Sequence, residues 1–202
     1  GFVQRALDKL GFGTVMCDFN RDGFEELFVS NGHIDDQTHR GLEQEMNAQL
    51  FAYDGVRWLD RGASSGEYFH QKYIGRGVAT ADFDEDGDLD LVVVHQNAAA
   101  ALLQNMAPPG HWLKCTFTGR YANRRGIGTR VTLHGGDRSI MRELAGGTSY
   151  CATHQPLLYF GLGDWSGTVD LEIRWPGGTT ETIRDVPLDQ TLVLMEPSEP
   201  SR

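Results

Sequence analysis

The stretch Asp82-Phe83-Asp84-Glu85-Asp86-Gly87-Asp88-Leu89-Asp90, running directly into Leu91-Val92-Val93-Val94, decides how this chain is read. Oxygen-bearing side chains at positions 1, 3 and 5, a glycine at 6 and a carboxylate at 9 suit a tight loop wrapped around a hard cation. Calcium accepts six to eight oxygens at roughly 2.3–2.6 Å in irregular geometry, so one short acidic loop supplies most of its shell. Asp82, Asp84, Asp86 and Asp90 are the expected side-chain ligands, with the Asp88 carbonyl at position 7. Gly87 lets the backbone turn where a side chain would clash. An EF-hand would need a bidentate Glu at position 12 and flanking helices. Position 12 is Val93, inside a β-branched run that reads as a buried strand. The loop therefore joins two strands.

The same pattern stands 64 positions earlier, as Asp18-Phe19-Asn20-Arg21-Asp22-Gly23-Phe24-Glu25-Glu26 followed by Leu27-Phe28-Val29. Here the expected ligands are Asp18, Asn20, Asp22 and Glu26, with the Phe24 carbonyl. The entries match too, Gly11-Phe12-Gly13 against Gly75-Arg76-Gly77. Such self-similarity signals a repeat architecture, and two copies imply two calcium sites. Four carboxylates against three plus an amide favour tighter binding at the second loop, because affinity rises with ligand charge. The expected role is structural, with binding energy counted as folding energy.

Around the loops the chain reads as strands. Gly13–Phe19 and Leu27–Ser30 flank the first loop, a polar insertion covers Asn31–Gln49, and Gln49–Tyr53 with Val56–Asp60 form a hairpin across Asp54-Gly55, a pair suited to a type I′ turn. The second unit repeats Gly77–Phe83 and Leu89–Gln96, and Ala98–Gln104 takes the third-strand place. Gly1–Leu10 reads as a short helix or the tail of an earlier blade. Pro108-Pro109-Gly110 is a strong breaker, and the texture changes after it. Trp112–Thr118, Gly128–His134, Ile140–Leu144, Leu157–Gly161, Val169–Trp175, Thr179–Arg184 and Thr191–Met195 are short strands separated by glycine-rich turns. They indicate a compact antiparallel β-sandwich or barrel. The expected architecture is all-β: a partial β-propeller of two blades over residues 1–107, a β-sandwich over 108–197, and a frayed tail at 198–202.

The 202 residues carry 40% hydrophobic content, enough for a core, and a formal charge of −10 with pI near 5.1. That charge makes nucleic acid a poor partner. No apolar run is long enough for membrane insertion, and no signal peptide is visible. Cys17 reads as a buried thiol in an apolar strand; whether Cys115 and Cys151 are bridged is left open.

These residues resemble a known pairing. Both loops are similar to the calcium loops of FG-GAP/VCBS repeats, the blades of integrin-type β-propellers. The later half resembles the ASPIC/UnbV domain through Asn123-Arg124-Arg125-Gly126-Ile127-Gly128-Thr129-Arg130-Val131, Arg142-Glu143, Gly146-Gly147-Thr148-Ser149-Tyr150, Phe160-Gly161-Leu162-Gly163 and Ile173-Arg174-Trp175-Pro176-Gly177-Gly178. With Ser30-Asn31-Gly32-His33 and His111-Trp112-Leu113, the chain resembles the C-terminal part of the cartilage acidic protein family. The resemblance implies a calcium-bound propeller in an extracellular or cell-envelope protein, acting in binding or adhesion toward a protein or glycan ligand, and it implies no enzymatic activity. The chain departs from the pattern in keeping only Phe12-Gly13 of the phenylalanine-glycine signature and lacking Gly-Ala-Pro. Two blades do not close a ring, so the chain reads as a fragment of a larger propeller whose exposed edges invite self-association.

Other groupings were weighed against plainer readings. His33, Asp35, Asp36 and His39 crowd the insertion; a metal-dependent enzyme would use them, whereas exposed polar loop residues account for them more simply. Glu43 and Glu45 read as a solvated face. Arg124, Arg125 and Arg130 suit an anion site, or a turn whose arginines pair with the acidic propeller, which is favoured. Trp112, Trp165 and Trp175 are candidate sugar platforms, though Trp112 and Trp175 in strands fit a core better. Ser149 with His154 has no acid partner and no nucleophile elbow. No catalytic constellation is evident.

Overall fold

The computed structural model describes residues 7–198, so the N-terminal expectation for Gly1–Leu10 is testable only from Leu7 onward, and most of the tail lies outside the described residues. The chain forms two units. Among the described residues, the first comprises 7–19, 24–106 and 147–155; the second comprises 20–23, 107–146 and 156–198.

In the first unit, β1 (Gly11–Cys17), β2 (Glu26–Asn31), β3 (Gln49–Tyr53) and β4 (Trp58–Asp60) form an antiparallel meander of four strands. A second sheet, β5 (Gly75–Ala81), β6 (Asp90–His95) and β7 (Ala101–Leu103), repeats the first three. The alternation expected of half-buried strands is present: Val15 and Cys17 are buried while Met16 between them is exposed. Phe28, Phe51, Val78 and Val93 fill the interior, and Phe28 meets Phe69 edge-to-face with ring centroids 6.0 Å apart. The two sheets approach closely because glycine lines the contact. A Cβ on Gly13 would stand 2.5 Å from the Arg76 carbonyl oxygen, and one on Gly75 would stand 2.2 Å from Ser30 Oγ. The duplicated glycine entries thus serve the packing of one blade on the next.

Arg76 ties the same seam. Its guanidinium donates to the carbonyls of Gly32 and His33 and to Gln96 Oε1, and it lies 4.2 Å over the Phe12 ring. The polar insertion after β2 has a short 3-10 turn at Thr38–Arg40 and is pinned by bridges pairing Gly32 with Glu45 and Met46 with Tyr73. The hairpin after it differs from expectation. Tyr53 pairs with Trp58, leaving the four residues Asp54 to Arg57 as the loop, and only Gly55 has positive φ. A type I′ turn would need positive φ at both central residues. Asp54 instead accepts the amides of Val56 and Arg57 through Oδ1, which satisfies the turn locally and holds its carboxyl below the usual range.

In the second unit, β8 (His111–Thr118), β11 (Leu157–Gly163) and β14 (Gln190–Met195) form one sheet, and β9 (Arg130–Gly135), β10 (Arg138–Glu143), β12 (Val169–Arg174) and β13 (Thr180–Val186) form the other. All seven strands sit where the hydrophobic runs place them. One pair departs from the expected antiparallel pattern, for β14 runs parallel to β8. The core combines Leu113, Cys115, Leu133, Phe160, Leu171 and Ile173, with Trp175 edge-to-face against Phe117 at 5.9 Å.

Cys115 and Cys151 are not bridged: Cys115 is buried, as is Cys17, and Cys151 is exposed. Burial pushes the Cys115 thiol up to about 12.

Candidate metal centres in the strand-connecting loops

Both acidic loops take one backbone course. Position 4 is left-handed in each, Arg21 at φ 62° and Glu85 at φ 61°, and position 6 follows with Gly23 at 94° and Gly87 at 98°. The glycines were legible in the sequence. The strained non-glycine four positions into each loop was not, because neither Arg nor Glu announces positive φ.

The ninth-position carboxylate closes each loop. Glu26 Oε2 accepts the Phe19 amide at 2.8 Å, and Asp90 Oδ2 accepts the Phe83 amide at 3.0 Å. Each bond joins position 9 back to position 2, and both acids are almost fully buried. Asp90 Oδ1 also accepts the Asn105 amide at 2.8 Å, and Asn105 donates its side chain to the Phe19 carbonyl at 2.8 Å. Asn105 therefore joins the second loop to the start of the first. Sequence reasoning missed it, since nothing in its neighbourhood repeats.

Within the second loop the Gly87 amide donates to Asp82 Oδ2 at 3.1 Å and the Asp88 amide to Asp86 Oδ1 at 2.9 Å. The carboxylates of Asp82, Asp84 and Asp86 each present an oxygen within 4.8 Å of the others, and they form the one such group of His, Cys, Asp or Glu among the described residues. Two oxygens on opposite sides of a calcium ion stand about 4.6–5.2 Å apart, twice the metal–oxygen distance. The donor set therefore fits a calcium-sized cation, and its chemistry is all oxygen. Carboxylates this close repel one another without a counter-charge. Gln104 Nε2 donates to Asp84 Oδ2 at 2.5 Å on the loop's exposed side.

The first loop is arranged otherwise. Asn20 and Asp22 bond one another, Nδ2 donating to Asp22 Oδ2 and the Asp22 amide donating to Asn20 Oδ1, both at 3.0 Å. Asp18 is buried, and the Phe24 ring is exposed. Asn20–Gly23 fold with the second unit, where the Arg21 guanidinium donates to the Gly110 carbonyl at 3.2 Å and the Gly163 amide to the Arg21 carbonyl at 2.6 Å.

The remaining groupings resolve locally. Asp36 accepts the amide and hydroxyl of Thr38, which hold its carboxyl below the usual range, while the Asp35 amide donates to His33 Nδ1. Glu43 is held low by Lys72 at 2.5 Å. Arg130 pairs with Glu143 on the neighbouring strand β10 of its own sheet, correcting the expectation of an acidic propeller partner; Arg124 and Arg125 are exposed. Trp175 is buried core, Trp165 packs against it, and Trp112 lies 4.3 Å beneath the Lys114 ammonium. Ser149 is bridged to Ala152, and burial holds His154 below the usual imidazole range.

Residues 18–93 match the family of FG-GAP-like repeats, and residues 119–201 match the family described as ASPIC and UnbV. Over 196 residues the chain is 30% identical to cartilage acidic protein 1 of Xenopus tropicalis, covering 92% of this chain. The chain thus pairs an FG-GAP-like repeat match with an ASPIC and UnbV match and is similar to the cartilage acidic proteins. The Mus musculus and Homo sapiens proteins of the same name are 28% and 27% identical, again over 92% of this chain. The chain spans 28–29% of the length of these three relatives. The FG-GAP-like match begins at Asp18, the first residue of the first acidic loop, and ends at Val93 in the strand after the second. Among the described residues no helix is long and apolar enough to cross a membrane.

Proposed function

We propose that the chain is a calcium-stabilised binding or adhesion module of an extracellular or cell-envelope protein. It carries one cation in each acidic loop, recognises a protein or glycan ligand, and has no catalytic role. The observation that carries this reading is the convergence of Asp82, Asp84 and Asp86 oxygens within 4.8 Å in a loop that joins two blade strands. In the second loop Asp82, Asp84, Asp86 and Asp90 hold the ion, with the Asp88 carbonyl adding an oxygen. In the first, Asp18, Asn20, Asp22 and Glu26 do so with the Phe24 carbonyl. The ion supplies positive charge that offsets carboxylate repulsion and pins the strand connection. The FG-GAP-like match and the ASPIC and UnbV match support an adhesion setting.

The test is a thermal melt in EDTA and again with calcium, beside Asp82→Ala and Asp86→Ala. An ion at 100 times its dissociation constant adds about 2.7 kcal/mol to the folded state. The midpoint is expected to rise by several degrees with calcium, and both substitutions are expected to remove the part due to the second loop. A midpoint indifferent to calcium would sink the reading.

A further inference from the structure

Residues 147–155 fold with the first unit, although the chain on either side of them belongs to the second. They run alongside β5. Tyr150 packs edge-to-face on Phe12 with centroids 5.0 Å apart. A Cβ on Gly77 would stand 3.1 Å from the Tyr150 carbonyl oxygen, so the bare glycine leaves room for the segment. The Gln155 amide donates to the Thr80 carbonyl at 2.9 Å, and the Asp82 amide donates to Gln155 Oε1 at 3.2 Å. Thr80 in turn donates its hydroxyl to the Asp90 carbonyl at 2.7 Å. Gln155 thus holds the backbone of loop position 1 from outside the loop, and its neighbour in the bond chain holds position 9.

We propose that residues 147–155 are a strap that completes the second cation loop, with Gln155 as a positioning residue, so that strap docking and cation binding reinforce one another. The inference rests on the calcium reading above and adds a distal part to that site. The physical basis is direct. The Asp82 side chain is the first expected ligand, and its amide is oriented by Gln155. With the cation bound, the loop keeps the conformation that offers this amide. With the cation removed, repulsion among Asp82, Asp84 and Asp86 favours opening, and the strap loses its partner. Linkage requires the reverse effect to be equal: a docked strap raises cation affinity by the factor by which the cation favours docking. One hydrogen bond places that factor at about two- to tenfold.

Two measurements on the whole chain test this. The first is calcium titration by calorimetry of the parent, Gln155→Ala, Gln155→Glu and Asp84→Ala. Gln155 is exposed, so its replacement leaves the fold in place. Gln155→Ala is expected to weaken the tighter site about two- to tenfold, while Gln155→Glu, which keeps an acceptor oxygen, restores it. The second is amide hydrogen exchange over residues 147–155 with calcium and with EDTA. Calcium is expected to slow exchange there in the parent and not in Asp84→Ala. If calcium binds and Asp84→Ala weakens it, yet Gln155→Ala binds as the parent does and strap exchange ignores calcium, the strap inference is wrong and the calcium reading survives. If the parent takes up no calcium, both are wrong.

Discussion

The two acidic loops are written in nearly the same letters and are held in different company. Each turns through left-handed residues at positions 4 and 6, and each is closed by a buried acid bonded to the amide of position 2. The second loop gathers three carboxylates and is braced from outside by Gln104, Asn105 and Gln155. The first has an amide in place of one carboxylate, and that amide bonds Asp22. Its middle residues, Asn20–Gly23, fold with the second unit. A repeated motif thus supplies one backbone course, and the side chains around it decide whether the loop concentrates charge or disperses it.

The largest effect expected from this comparison lies in the closing acids. Asp90→Ala strips the carboxylate from two amides, those of Phe83 and Asn105, and is expected to cost about 3 kcal/mol. Glu26→Ala removes the acceptor of the Phe19 amide and is expected to cost about 2 kcal/mol. Urea denaturation gives both values; a larger loss at Glu26 would reverse the ranking of the loops.

Asn20→Asp makes the first loop's position 3 match the second. It replaces a donor to Asp22 by a like charge, so the loss in EDTA is expected to be about 1 kcal/mol. Calcium should then stabilise the variant more than the parent, and melts with and without the ion read the difference. An unchanged calcium increment would show that ligand charge is not what separates the loops.

A smaller and opposite pair of effects is expected at position 4. Glu85→Gly relieves a left-handed side chain and should gain roughly 0.5–1 kcal/mol, the relief exceeding the entropic cost of glycine. Arg21→Gly relieves the same strain but forfeits the bond to the Gly110 carbonyl, and should be neutral or destabilising. Equal gains at both positions would mean that the Arg21 contact contributes nothing.

The smallest effect concerns pH and only the second loop's surroundings. Burial lowers the folded-state pKa of His154 below its unfolded value near 6.5. The unfolded or undocked form therefore binds more protons, so the contribution is fully present above about pH 6.5 and is lost as pH falls through the folded value. Protection of the amides of residues 147–155, taken relative to their intrinsic exchange rates at each pH, is expected to fall as pH drops below about 6.5, and His154→Gln should flatten the change. A strap equally protected above and below that pH would contradict the assignment.

The sequence by itself determined the strands, the two loops and the texture change near Pro108-Pro109-Gly110. These follow from local rules: oxygen spacing, alternation along strands, glycine where the backbone must turn. The same rules overreached at Asp54-Gly55, where the Asp54 carboxylate formed a wider turn, and at Arg130, whose partner is set by cross-strand register. Only the tertiary structure decided that β14 lies parallel to β8, that Asn105 links the loops, and that residues 147–155 fold with the first unit. Each of these joins residues distant in sequence, and such pairings depend on where whole sheets come to rest. Periodicity and spacing report a residue's neighbours along the chain; a hydrogen bond between Asp82 and Gln155 exists only once β5 has a fixed edge to offer.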